Sequence, residues 1–278
     1  AYINQDVTIQ GGYVTTDWEA DPPDHPAHPT VLQPAAGRAL YVASGDVTLE
    51  RLTLADGDAS GHGGGPSDED AGGNLYNAGA TLTLNALDVQ GGRATLGAGL
   101  YHGGGDLTLT NSLIRSNGNY LSEAGGGLYV LGNAVTVLNN TFSANEVTND
   151  GGALYADGGT WSLINNVLLD TESGVTENPG SHAAVHVEAG TTFSADYNLY
   201  WNNSLADVSG VASKGGNVVE SNPDLDGSLY PSSGSPVRDA GDPATDLGLV
   251  PQDYADNPRL QGPTVDIGAY EYEVVPKF

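Results

Sequence analysis

The sequence predicts an all-β solenoid, a right-handed parallel β-helix with three short strands in each rung. A glycine-rich turn runs into the pair Leu-Tyr five times, at Leu40-Tyr41, Leu75-Tyr76, Leu100-Tyr101, Leu128-Tyr129 and Leu154-Tyr155, with Val185-His186 as a degenerate sixth copy. A Thr-centred apolar strand follows each of the five pairs, and these strands start at Val47, Leu82, Leu107, Val135 and Trp161, in steps of 35, 25, 28 and 26 residues. Such steps are typical of stacked repeats that differ only in their loops.

Three strands can be assigned within the best copy of the repeat. They cover residues 127–130, 134–138 and 140–143. Alternation within them places Leu128, Val135 and Val137 on one side and Tyr129 and Thr136 on the other. Two inward columns follow by register, namely Leu40, Leu75, Leu100, Leu128, Leu154 and Val185, and Leu49, Leu84, Leu109, Val137 and Leu163. Strands of about 3 to 5 residues without an intervening helical pattern favour a parallel β-helix.

Asparagines recur at one corner of the repeat, at Asn111, Asn139, Asn140, Asn165 and Asn166. Side-chain amides stacked one rung apart can bond along the axis and tolerate a left-handed turn. We therefore expect a structural asparagine ladder.

The repeat delimits two regions. Residues 1–213 are expected to form the β-helix, with about seven or eight rungs and loop insertions at 17–30 and 56–73. The first insertion is Pro-rich and cannot be strand, and the second is rich in Gly, Asp and Ser. Residues 214–278 contain seven prolines between 222 and 266, and are expected to form an irregular cap laid over the end of the helix.

Composition excludes several partners. The chain carries 35 Asp and Glu against 8 Lys and Arg, a net charge of −27, which disfavours nucleic acid and anionic surfaces. No apolar run reaches the length of a membrane helix, so insertion into a membrane is not expected. There is no cysteine and hence no disulfide framework. The chain opens at Ala1 without Met, which we expect of a secreted precursor trimmed behind a small residue.

Particular motifs carry a family resemblance. Gly151-Gly152-Ala153-Leu154 and Phe142-Ser143-Ala144-Asn145 resemble the repeats of polymorphic outer-membrane-protein-like β-helices. Residues 235–242 (SPVRDAGD) and 265–272 (VDIGAYEY) are similar to the closing motifs of choice-of-anchor Q domain proteins. The resemblance implies a bacterial surface protein of the pectin-lyase-like superfamily. That superfamily contains enzymes, adhesins and structural proteins, so the resemblance leaves the activity open.

Enzymatic chemistry would need a particular set of charged residues. Uronate lyases of the superfamily use a basic cluster, often with Ca²⁺, whereas the eight basic residues here are spread from Arg38 to Lys277 among many acids. A glycoside hydrolase would need carboxylates converging from adjacent rungs within about 5 to 10 Å. Acids are abundant, but most lie in Gly-rich turns where Asp is the ordinary residue. A carbohydrate-active enzyme, or a glycan-binding module, is therefore the alternative function.

Two acidic segments are candidate Ca²⁺ sites, since carboxylate oxygens are the ligands that this ion prefers. They are Asp56, Asp58, Asp68 and Asp70 in the second insertion, and Asp224 and Asp226 ahead of Gly227. The six histidines show no zinc spacing and are expected at the surface. Asn202, within Asn202-Asn203-Ser204, is the candidate glycosylation acceptor.

The tyrosine column is the candidate binding face. Tyr41, Tyr76, Tyr101, Tyr129 and Tyr155, followed by His186, should stack about 4.8 Å apart on the outside of one sheet. Such a column is either cross-strand pairing alone or a flat platform for sugar rings or another protein. The parallel column of Thr48, Thr83, Thr108, Thr136 and Ser162 is flatter still, but an ice-binding role is disfavoured by the uneven repeat lengths.

Together these features predict a non-enzymatic extracellular surface protein, structural or adhesive, that contacts glycans, other surface proteins or its own copies. We also expect head-to-tail assembly into a filament, because Ala1 leads directly into an apparent strand and residues 269–278 are rich in Tyr and Val. In that scheme the C-terminal segment reaches a neighbouring subunit.

Overall fold

The structure, a computed structural model, describes residues 1–14, 27–118, 121–173, 183–203, 206–211 and 213–273. Within these ranges the chain contains strands and no helix. The strands, numbered in chain order, are β1 (Tyr2–Ile3), β2 (Val7–Gln10), β3 (Thr30–Leu32), β4 (Leu40–Val42), β5 (Asp46–Glu50), β6 (Leu52–Ala55), β7 (Leu75–Asn77), β8 (Thr81–Asn85), β9 (Asp88–Gln90), β10 (Leu100–His102), β11 (Leu107–Thr110), β12 (Leu113–Arg115), β13 (Leu128–Leu131), β14 (Ala134–Leu138), β15 (Thr141–Ser143), β16 (Glu146–Val147), β17 (Leu154–Asp157), β18 (Thr160–Ile164), β19 (Val167–Leu169), β20 (Glu172–Ser173), β21 (Ala183–Val187), β22 (Thr192–Asp196), β23 (Asn198–Trp201), β24 (Ala206–Gly210) and β25 (Val218–Val219).

Three parallel sheets form the walls of the stack, and each of the first seven rungs gives one strand to each sheet. The first sheet has the order β1-β4-β7-β10-β13-β17-β21-β24, and the second has the order β2-β5-β8-β11-β14-β18-β22. The third has the order β25-β23-β19-β15-β12-β9-β6-β3, and β16 pairs with β20 separately. The predicted parallel β-helix with three strands per rung is confirmed.

The interior contains the two predicted columns, together with a third from the third sheet. Leu40, Leu75, Leu100, Leu128 and Leu154 pair in register on the first sheet, and each is at most 1% exposed. Leu49, Leu84, Leu109, Val137 and Leu163 form the equivalent column on the second sheet and are fully buried. Because every rung buries the same face, a slip of one residue would turn a whole strand's apolar side chains to solvent.

The corners of the rungs repeat a left-handed backbone. Between the second and third sheets it is adopted by Arg51, Ala86, Asn111, Asn139, Asn165 and Tyr197, with φ between 51° and 57°. Between the third and first sheets it is adopted by Asp56, Gly91, Ser116, Ala144, Asp170 and Asn202, with φ between 50° and 67°. Gly, Asn and Asp tolerate this conformation best, which explains their frequency at these positions.

The predicted asparagine ladder is present, and it lies inside the stack. The Nδ2 of Asn140 donates to the Oδ1 of Asn166 at 3.1 Å, and Asn166 donates in the same way to Asn198. A second ladder, not anticipated, joins Asn74, Asn117 and Asn145 at the other corner. All these amides are fully buried, so the ladders satisfy backbone groups where the chain turns.

The C-terminal region lies along the side of the stack. β25 still belongs to the third sheet, so the β-helix continues past the predicted boundary at residue 213. The chain then runs along the corner between the second and third sheets, where Asp242 N–H donates to Asn165 and Arg51 pairs with Asp256 at 2.5 Å. We call residues 220–273 the strap. The predicted cap packs on the helix, but the described residues of the strap contact the side wall, from Arg51 in the second rung to Leu199 in the seventh, and do not lie over the end.

The strap is held by apolar and polar contacts. Val237 and Ile267 pack on Val167, Leu169 and Leu199 of the third sheet. Two turns of the strap are alike, because Asp226 and Asp253 each accept hydrogen bonds from the amides two and four residues later. Short side-chain caps of this kind replace the ladder hydrogen bonds that prolines cannot make.

Candidate functional site

The tyrosine column exists and is continuous. Rings of Tyr2, Tyr41, Tyr76, Tyr101, Tyr129, Tyr155 and His186 follow one another with centroids 4.8–5.5 Å apart. The strand register confirms the predicted pairing, with Tyr101 opposite Tyr76 on one side and Tyr129 on the other. Tyr2, missed as a member of the column, is 66% exposed at its N-terminal end.

The middle of this column is covered, which corrects the expectation of an exposed platform. Tyr76, Tyr101 and Tyr129 are 8%, 2% and 7% exposed, in an apolar cluster completed by Ala71, Leu96 and Ala124 from the corner loops. Tyr76 donates to the carbonyl of Gly64, and the Arg38 guanidinium lies 4.6 Å from its ring. A sugar or protein therefore cannot lie on these three rings while the loops are in place. Tyr41, Tyr155 and His186 are partly exposed.

Glycines explain how the loops approach so closely. Gly72, Gly97, Gly125 and Gly151 each stand three residues before a Leu-Tyr pair and have φ between 59° and 70°. A Cβ on Gly72 would lie 2.7 Å from the Tyr76 Cβ, and one on Gly125 would lie 2.7 Å from the Tyr129 Cβ. Only glycine suits both the left-handed backbone and this contact. The glycines of these turns therefore allow the corner loops to cover the tyrosines.

The second insertion forms this cover and not a free loop. Arg38 Nε donates to the Ala71 carbonyl at 2.8 Å, and isolated bridges join Gly64 to Asp70 and Ala71 to Leu96. The predicted loop 56–73 therefore packs on the first sheet. Of the other insertion, residues 15–26 lie outside the described residues, and Thr30 already begins β3.

The outer side of the same corner loops holds a groove of about 630 Å³. Its lining includes Asp56, Asp58, Asp70, Arg93 and Ser116, so it crosses successive rungs. It adjoins a second space of about 490 Å³ lined by Pro34, Gly37 and His62. The Arg93 side chain is exposed in this groove, and the groove presents both carboxylate acceptors and a guanidinium donor.

Two of the groove carboxylates, Asp58 and Asp70, have lowered pKa values. The hydroxyl and amide of Ser60 donate to Asp58 and lower the pKa of its carboxyl. Burial alone would raise the pKa of Asp70, but amides of Gly63, Gly61 and His62 donate to it and lower the pKa overall. Carboxylates kept in this state accept hydrogen bonds and do not supply protons.

Three of the predicted calcium ligands, Asp56, Asp58 and Asp70, line the same groove but are not arranged around a common point. Within the described ranges, no group of three or more His, Asp or Glu is arranged to hold a metal ion. Asp56 accepts a hydrogen bond from Gln33, Asp224 from Ser232, and Asp226 from two amides of its own turn. Asp68 lies in the left-handed region at φ 67°. These acids shape turns, which is the ordinary use of Asp in Gly-rich loops.

A second group of titratable residues lies at the C-terminal end of the tyrosine column. The Tyr155 hydroxyl donates to Glu188, and His186 Nε2 lies 3.5 Å from the same carboxylate. The hydrogen bond from Tyr155, together with the neighbouring His186, lowers the pKa of Glu188, whereas burial and the charge of Glu188 raise the pKa of Asp157. His186 Nδ1 also lies 2.7 Å from the Ser209 hydroxyl.

Glu188 was missed in the sequence, although a signal for it existed. In Leu154-Tyr155-Ala156-Asp157 and Val185-His186-Val187-Glu188 an acid follows the aromatic residue by two positions, and Ala156 pairs with Val187. In the preceding rung the same position is Leu131. The change from leucine to two acids marks this end of the column as chemically different.

Two further predictions concern single positions. Asn202 is exposed at a corner and donates to Asp170, and its glycosylation stays a prediction. His102 is fully buried beside Asn77 and the Gly105 carbonyl, so the expectation of surface histidines is wrong there. Burial lowers the pKa of His102, which keeps the ring neutral inside the stack.

No family model, curated protein or solved structure matches the chain. The described part of the chain contains no helix with the length and hydropathy needed to cross a bilayer. The fold therefore defines the protein as a parallel β-helix solenoid, and its function is argued from the sites above.

Proposed function

We propose that the chain is a non-enzymatic extracellular surface protein, structural or adhesive, which contacts glycans or other surface proteins through the corner groove. The proposal is based on the ionised state of two groove carboxylates. Asp58 and Asp70 are occupied by amide and hydroxyl donors that favour the ionised form, so they suit binding and lack the proton that glycosidic cleavage needs.

The placement of the basic residues also supports a binding role over lyase chemistry. Arg51 pairs with Asp256, Arg115 with Asp88, and Lys214 with Asp207. Arg259 is fully buried, and Arg38 donates to two carbonyls of the tyrosine cover. Cations engaged in this way are not arranged around a common substrate carboxylate.

The test is binding without cleavage. Full-length protein is added to insoluble β-glucan, xylan and mannan, and both the bound fraction and released reducing ends are measured. We expect retention on at least one polysaccharide, loss of retention in Arg93→Ala and Asp58→Asn, and no new reducing ends. The matched control is Asp46→Asn, an exposed acid on the second sheet outside the groove. Equal retention of all variants would show that the groove does not bind the polysaccharide.

One observation favours the alternative, a carbohydrate-active enzyme. Asp157 and Glu188 come from adjacent rungs, and their pKa values are shifted in opposite directions, which is the arrangement expected of an acid and a base or nucleophile. Release of reducing ends that disappears in Asp157→Asn would establish this function in place of the first.

Calcium binding and head-to-tail assembly stay predictions. Calcium bound to the folded state would raise the melting temperature, and EDTA would lower it. The route proposed for assembly is wrong in part, since Ala269 and Glu271 are 0% and 1% exposed within the strap of their own chain. Light scattering at increasing protein concentration tests assembly directly.

A further inference from the structure

The tyrosine column ends at a proton acceptor. Its rings are stacked in the interplanar range 6–30°, and the last tyrosine, Tyr155, donates its phenol proton to Glu188. Oxidation of a tyrosine by one electron makes the phenol strongly acidic, so a tyrosine with a carboxylate acceptor in place is the easiest one in such a column to oxidise.

We propose that Tyr155 is the preferred site of one-electron oxidation in this protein, that it is reached along the tyrosine column, and that Glu188 accepts its phenol proton. The inference goes beyond the binding function and does not depend on it. It assigns a chemical property to a column whose middle is closed to ligands.

The exposure of the column gives a direction to the process. Tyr2 is 66% exposed and meets a diffusible oxidant in solvent, whereas Tyr76, Tyr101 and Tyr129 are buried under the corner loops. Five ring-to-ring steps of 4.8–5.5 Å lead from Tyr2 to Tyr155. At these centroid distances each ring is the direct neighbour of the next, so electrons can exchange in short steps along the whole path.

The rings differ in their proton acceptors and not in the direction of their pKa shifts. Burial raises the pKa of Tyr101 to about 12 and also raises those of Tyr129 and Tyr155. Of these three phenols, Tyr155 is the one that donates to a carboxylate. Glu188 has a lowered pKa because Tyr155 donates to it and His186 lies nearby, so it is present as the carboxylate. The interior rings therefore pass an electron, and the Tyr155–Glu188 pair holds the oxidised state.

A diffusible one-electron oxidant takes an electron from Tyr2, whose proton passes to water. An electron from Tyr155 then passes along the column and reduces the Tyr2 radical, and Tyr2 regains a proton from water. The O–H bond of Tyr155 breaks, its proton moves to the Glu188 carboxylate, and a neutral phenoxyl radical and a carboxylic acid remain.

The test uses photogenerated tris-bipyridine ruthenium(III) with persulfate as the electron acceptor, and a nitroso spin trap. Trp18 and Trp201 are replaced by Phe throughout, so that oxidation of their indoles does not compete. Trapped adducts are located by tandem mass spectrometry, and radicals are followed by electron paramagnetic resonance. We expect most of the adduct at Tyr155 in the parent protein.

Three variants distinguish electron transfer along the tyrosine column from direct oxidation of exposed tyrosines. Glu188→Gln should abolish the preference for Tyr155, and Tyr101→Phe should retain the adducts at Tyr2, Tyr41 and Tyr76. The control Glu220→Gln removes an exposed carboxylate that pairs with Lys214 and should change nothing. Thermal melting checks that each variant is folded. Adducts that follow exposure, with Tyr2 first, and that are unchanged in Glu188→Gln and Tyr101→Phe, would overturn the proposal.

Discussion

The stack and the strap satisfy their buried groups in different ways. In the stack, backbone groups bond to the next rung and every rung buries the same apolar columns, so the interior near Leu128 and Val137 contains no charge. In the strap, the described residues form only isolated bridges, and the interior contains Arg259 with Asp266 and Glu271, all at most 2% exposed. Repetition makes the first region insensitive to loop length, whereas the second depends on a few specific charges.

Removal of the buried cation of the strap should have the largest effect on stability. Arg259 donates to Asn111 and to the carbonyls of Gly268 and Ala269, and it lies 4.0 Å from Glu271. Arg259→Met leaves buried carboxylates without a cation, and we expect a loss of about 3–5 kcal/mol measured by urea unfolding. The control Arg238→Met, nearer the surface, should cost much less. Equal losses would contradict the assignment of Arg259 as the centre of the strap.

A cavity in the stack should have the next largest effect. Leu128 is fully buried and lies between Leu100 and Leu154, so Leu128→Ala should cost about 2–5 kcal/mol. Leu131 lies on the same strand and is only half-buried, which makes Leu131→Ala the matched control. If both variants have the same unfolding midpoint, the strand register is wrong.

Breaking an asparagine ladder should cost less. Asn166 accepts from Asn140 and donates to Asn198 and two carbonyls, so Asn166→Ala leaves buried groups unpaired, at about 1–3 kcal/mol for each group. Asn202→Ala, at an exposed corner, is the control. Denaturant unfolding of both proteins provides the measurement, and an unchanged midpoint for Asn166→Ala would show that the ladder is dispensable.

The last expected effect is a pH dependence of the strap, which is measured as a slope with pH and not as the loss in one variant. Burial, with the nearby charge of Asp266, raises the pKa of Glu271 from 4.5 to about 8. The folded protein therefore binds more protons than the unfolded chain between these values, and stability falls as the pH rises through this window. Glu271→Gln should flatten the dependence in melting curves between pH 5 and 8. A slope that persists in the variant would assign the effect to other groups.

The sequence was sufficient for the stack and insufficient for the strap. The Leu-Tyr pairs predicted the register residue by residue, because each rung repeats the same contacts. The contacts of Arg259 with Asn111 and of Asp242 with Asn165 join distant segments once each, so no repeat in the sequence indicates them. The cover over Tyr101 was missed for a related reason, since the loops that form it vary in length from rung to rung. The Asp157–Glu188 pair was visible only as a break in the repeat.

Residue-resolved hydrogen exchange at pH 5 and pH 8, corrected for intrinsic rates, shows whether the strap opens separately from the stack. The strap depends on Glu271 staying protonated in the interior, whereas the stack around Leu128 is held by buried apolar side chains. We expect the amides of Asp242, Ile267 and Gly268 to lose protection at pH 8, while those of Leu100 and Leu128 keep theirs. Equal loss of protection in the strap and the stack would contradict this expectation, because the two regions would then open as one unit.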